Sequence, residues 1–190
     1  MSVPHRSTEH PTHWLISAQV VLDEDSLATS LTIANSGERE IAPQCLLHTY
    51  LNVADARQVM IFGLEESEYA DKLTGKDEHE DMPAIQFRGE TDRVYRGASR
   101  KACPLAVRPE GVRVDAHGAL LEKDGTVSAE IAADVVVWNP HVNKAKAMGD
   151  FDDDGWTAMA CVEPGVVAVD RPGIAPGGSL VLSQTIAPED

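Results

Sequence analysis

The chain has 190 residues, 43% of them hydrophobic, and a formal net charge of −15. That length supports one sizeable core rather than two, and the apolar content marks a globular chain rather than a disordered one. The acid surplus argues against nucleic acid or an anionic membrane as a partner, since either needs a basic face, but it leaves room for a small anion held by two or three local arginines.

Residues 1–13 are polar, contain Pro4 and Pro11, and read as a flexible segment ahead of a single domain over 14–190. His5, His10 and His13 lie in this segment and are taken as part of a frayed terminus rather than a metal site. No apolar stretch of about 7–15 residues marks a secretory signal. No run approaches the roughly 20 apolar residues of a membrane span. Cys45, Cys103 and Cys161 are an odd number and far apart, which suits buried reduced thiols and a cytoplasmic setting.

From Trp14 the pattern is that of strands. Trp14–Leu22 and Leu27–Ala34 are rich in Val, Ile, Leu and Thr, with Asp23-Glu24-Asp25 as the turn of a hairpin. Asn35-Ser36-Gly37 leads into Ile41–Val53, a long apolar run that contains His48. Val59–Leu64 is a further strand, and the acidic Glu65–Asp81 reads as a surface excursion. Ile85–Phe87, Arg93–Tyr95, Val112–Ala116, Ala119–Leu121 and Val127–Ile131 follow, with Gly118 and Asp124-Gly125 as turns. Val135–Trp138 and Trp156–Val162 flank an acidic connector, Glu163-Pro164-Gly165 closes the second of them, and Ser179–Ile186 is the last strand. No segment of about 12 or more residues keeps a 3.6-residue period, and Lys144–Met148 is too short for a helix. An all-β fold is predicted, an antiparallel β-sandwich or barrel.

Several residue groups could carry chemistry. In LLHTYL, strand alternation puts His48 and Tyr50 on one face and Leu47, Thr49 and Leu51 on the other. His48 is then either a satisfied core histidine or a proton donor. Glu163 follows the apolar run WTAMACV, where partial burial would raise its pKa into the range of a general base; the plainer alternative is a carboxylate capping a turn. Asp150-x-Asp152-x-Asp154-Gly155 matches the start of a calcium loop, but the position that should supply a bidentate Glu is Cys161, so an acidic turn is expected. Arg93, Arg96, Arg100 and Arg108 could serve an anion or form a solvated face. No Gly-rich phosphate loop, CxxC, HExxH or GxSxG occurs.

Taken in order, LLHTYLNV, GETDRVY, VVVWNP, MGDFDDDGW, ACVEPG and PGGSLVLSQTI resemble the hexose-6-phosphate mutarotases, the glucose-6-phosphate 1-epimerases of the aldose 1-epimerase family. The resemblance runs from about Trp14 onward and corresponds to the C-terminal two-thirds of family members, as an N-terminally truncated chain would. It implies the galactose mutarotase-like supersandwich. It also implies interconversion of the α and β anomers of a hexose 6-phosphate, with His48 as general acid, Glu163 as general base and Asp92 holding sugar hydroxyls. Neither metal nor redox cofactor is implied, since ring opening needs only a base on the C1 hydroxyl and an acid on the ring oxygen, set on opposite sides of the sugar.

Family members carry a phosphate-gripping arginine in a His-Gly-Phe-Ala-Arg segment, where this chain reads STEHPTHW. With the first third of the family's strands missing, self-association through uncovered strands is expected, as is loss of phosphate recognition; the rival expectation is a non-catalytic carbohydrate-binding or assembly module on the same fold, its activity lost with that third.

Overall fold

The computed structural model describes residues 2–6, 13–100, 105–168 and 171–189. In chain order the strands are β1 (Ser2–Arg6), β2 (His13–Leu22), β3 (Leu27–Asn35), β4 (Cys45–Leu46), β5 (Tyr50–Asn52), β6 (Met60–Phe62), β7 (Glu68–Asp71) and β8 (Lys76–His79). They continue with β9 (Thr91–Tyr95), β10 (Leu105–Arg108), β11 (Val112–Leu121), β12 (Val127–Ile131), β13 (Asp134–Asn139), β14 (Met159–Val166) and β15 (Ser179–Pro188). One sheet runs β1-β2-β3-β15-β11-β10-β6, with β12 also on β11; the other runs β4-β14-β13-β9-β7-β8, with β5 also on β14. The antiparallel sandwich is as expected.

Alternation along each strand builds the core. Val135, Val137, Tyr95 and Val162 from the second sheet bury their side chains in one cluster with Val107, Val114 and Ile61 of the first. Each such side chain contributes about 1.5–3 kcal/mol of apolar burial. Ile33, Leu180 and Leu182 meet Val166, Ala133 and Ile174 in a second cluster. The first sheet outruns the second: on the core-facing side of β2, Val20 and Leu22 remain 68% and 80% exposed.

Several expectations are corrected. Gly118 is no turn but the middle of β11, where a side chain would strike the carbonyl of Ile131 on β12 at 3.1 Å. Ile41–Val53 is not one run: the chain pairs at Cys45–Leu46, leaves the ladder, and rejoins at Tyr50–Asn52. The supposed surface excursion holds the β7–β8 hairpin, anchored by the buried Tyr69. A seven-residue helix, α1 (His141–Ala147), starts after Pro140, its first amide held by the Asn139 side chain at 2.9 Å. Within the segment read as flexible, Ser2–Arg6 runs antiparallel to β2. The histidine trio falls largely outside the described side chains, as does Cys103.

Candidate active site

β14 decides the position of Glu163. Glu163-Pro164-Gly165 does not end this strand, which continues to Val166 with every residue buried. The ladder tolerates Pro164 opposite Val135, and a Cβ at Gly165 would lie 2.7 Å from the Leu46 methyl, so the Leu46 side chain would have to shift. Glu163 is thus neither a turn cap nor at the mouth of a strand; it sits in mid-sheet, 1% exposed.

The break between β4 and β5 aims His48. Leu47 donates its amide to the Pro164 carbonyl at 2.9 Å, while the Thr49 hydroxyl meets the buried Gln184 amide of the opposite sheet at 3.0 and 3.1 Å. With its neighbours turned inward, His48 faces out beside Tyr50, the two rings parallel with centroids 4.8 Å apart. The edge of Trp138 closes the stack at 6.0 Å from His48. With half of its side chain exposed, His48 is not a core histidine.

Register brings the rest together. Trp138 lies opposite Asp92 on one side and Cys161 on the other, and Val136 lies opposite Val94 and Glu163. Asp92, Val94, Val136, Trp138 and Glu163 therefore share one face, and with His48, Gln44 and Lys72 they line an open depression of about 440 Å³. All three residues singled out in the sequence reach it. Phe151, in the acidic connector, touches Trp138 edge-on.

His48 Nδ1 lies 3.1 Å from Glu163 Oε1. The contact lacks hydrogen-bond alignment, and this buried oxygen has no well-formed hydrogen bond. Burial pushes the Glu163 carboxyl up to about 7; the Cys161 thiol hydrogen bond opposes the rise and the Asp92 charge adds to it. Burial lowers the pKa of His48. Both shifts run against the ordinary order, imidazole well above carboxylate. Asp92 is also raised by burial, with Lys72 opposing.

Other candidates separate from the site. Arg93 binds Glu80 at 3.0 Å, Arg96 binds Asp77 at 3.1 Å and Arg108 binds Glu189 at 2.9 Å, so these three guanidiniums are committed to carboxylates. The side chain of Arg100 is outside the described set. Asp152 accepts the Asp154 amide at 2.9 Å and forms an acidic turn. Sequence reasoning missed Trp138, Lys72 and Gln44. The two-residue period of VVVWNP could have placed Trp138 with Val136, whereas Lys72 arrives through a turn that leaves no periodic signal.

The aldose 1-epimerase family model matches residues 1–186. A protein of Cenchrus ciliaris named "Putative glucose-6-phosphate 1-epimerase" is 36% identical over 148 residues, 77% of this chain and 41% of that protein. One of the same name from Salmonella typhimurium is 34% identical over 125 residues, 65% of this chain and 38% of that protein. The chain thus spans about two-fifths of the length of these relatives. The crystal structure of a "putative mutarotase" from Salmonella typhimurium superimposes with a TM-score of 0.74 at 23% identity, over all of this chain and 60% of that one, a likeness of fold. The chain belongs to the aldose 1-epimerase family.

Proposed function

We propose that this chain interconverts the α and β anomers of a hexose 6-phosphate at the His48–Glu163 depression. The observation that carries the reading is the buried Oε1 of Glu163, without a well-formed hydrogen bond, 3.1 Å from an imidazole nitrogen, on a carboxyl that burial pushes up to about 7. Glu163 removes the proton of the C1 hydroxyl as His48 delivers one to the ring oxygen; the C1–O5 bond breaks and an open-chain aldehyde forms. Rotation about C1–C2 and the reverse transfers close the other anomer. Because O1 and O5 share one carbon, an acid and a base a few ångströms apart suffice, rather than groups on opposite sides of the sugar. Asp92 accepts hydrogen bonds from sugar hydroxyls.

The names of the relatives favour glucose 6-phosphate, and Lys72 gives the depression one cation of the kind a phosphate would need. The unbridged Cys45 and Cys161 suit a cytoplasmic setting.

Saturation-transfer NMR on α-glucose 6-phosphate tests the reaction. Wild type is expected to accelerate anomer exchange, and His48→Ala and Glu163→Gln each to lose about 10²–10⁴-fold. Exchange at the uncatalysed rate in all three would leave only the carbohydrate-binding alternative. Self-association through a second copy covering Val20 and Leu22 is proposed alongside; a concentration-independent monomer in light scattering would overturn it.

A further inference from the structure

We propose that His48, Cys161 and Glu163 also form a site for a thiophilic divalent cation, zinc(II) above all, that inhibits the reaction by occupying its proton-handling atoms. One donor atom from each side chain lies within 4.8 Å of the other two. The fold produces this without a dedicated loop: Cys161 and Glu163 alternate onto one face of β14, and the β4–β5 break lowers His48 onto them. Zinc takes imidazole nitrogen, thiolate sulfur and carboxylate oxygen at about 2.0–2.3 Å in a tetrahedron, which spaces donors roughly 3.3–3.7 Å apart. The Nδ1–Oε1 distance of 3.1 Å is already at that scale, and half-exposed His48 is the ligand able to adjust.

A second observation points to a ligand. Glu163 Oε1 is a buried acceptor without a well-formed hydrogen bond in a side chain 1% exposed, and a bound cation would satisfy it. The donor set selects the ion: calcium and magnesium want oxygen ligands throughout, whereas sulfur and imidazole suit zinc and its first-row neighbours. On binding, the Cys161 S–H bond breaks, an S–metal bond forms and the proton leaves to solvent, with no change of oxidation state. A water would complete the tetrahedron. The formal charge of −15 draws cations toward the chain.

Inhibition rests on the acid–base reading above; binding stands apart from it and is measured separately. Cobalt(II), titrated into the chelator-stripped chain, is expected to give an intense tetrahedral visible spectrum and a thiolate-to-cobalt charge-transfer band at one ion per chain, both bleached by zinc. Cys161→Ser should abolish the charge-transfer band, and His48→Ala should weaken cobalt affinity about tenfold or more. A Cys45→Ser/Cys103→Ser double variant should keep the band. No charge-transfer band in wild type, or a band that Cys161→Ser leaves intact, overturns the site. Zinc at saturation should reduce wild-type anomer exchange to the uncatalysed rate, with recovery on chelation. Unaffected turnover with zinc bound overturns the inhibition. Absence of turnover without metal overturns the acid–base reading instead, and the cobalt spectrum still decides whether the site exists.

Discussion

Glu80 and Glu163 are 4% and 1% exposed, and β9 runs between their surroundings, offering Arg93 to the first and Asp92 to the depression that holds the second. Glu80 is fully served: Tyr95 donates its hydroxyl at 2.8 Å, Arg93 a guanidinium N–H at 3.0 Å, and the Met82 amide reaches the other oxygen at 3.2 Å. Glu163 has a thiol and a misaligned imidazole. Burial with partners makes a carboxylate part of the scaffold. Burial without them leaves a group whose proton is loosely assigned, which is the property acid–base work requires.

The contrast can be broken from either side. The largest effect is expected at Glu80: Glu80→Ala strands Tyr95 and the partly exposed Arg93, at a cost of about 2–3 kcal/mol in urea unfolding. Glu163→Gln should move the other way, gaining about 1–2 kcal/mol at pH 8 by removing a poorly solvated carboxylate while turnover collapses. Wild-type stability should also depend on pH through Glu163. Between its ordinary 4.5 and about 7 the native state keeps a proton that the unfolded chain has released, so stability is greatest below that window and falls as pH rises through it. The slope reaches about 1.4 kcal/mol per pH unit and should be missing in Glu163→Gln. Thr49→Val, which deprives buried Gln184 of its hydroxyl partner, should cost about 1 kcal/mol and shift the pH profile of anomer exchange through His48.

The sequence made the sandwich and all three candidate site residues legible, because period-two alternation and short ordered motifs are local properties. It misled where neighbours override local preference. Gly118 looks like a turn until β12 passes close enough to crowd a side chain there, and Pro164-Gly165 looks like a stop until β4 and β13 hold both residues in the ladder. The state of Glu163 was partly readable, since a carboxylate after WTAMACV is bound for burial. That it would lack a well-formed hydrogen bond depended on residues far away in the chain. The Glu80–Arg93–Tyr95 cluster could not be read at all, because it joins a polar hairpin to the face of β9 opposite Asp92.

The Thr49–Gln184 contact has a mechanical consequence. Glu163 is carried by β14, within the second sheet, but the peptide bearing His48 is tied through Thr49 to β15 in the first. Sliding or spreading of the two layers would therefore pull on the imidazole while leaving the carboxylate in place, so a change in the separation of the layers would change the distance between His48 and Glu163. Whatever loads the uncovered core-facing stretch of the first sheet, a second copy over Val20 and Leu22 included, would then be felt at the depression as a change in that gap.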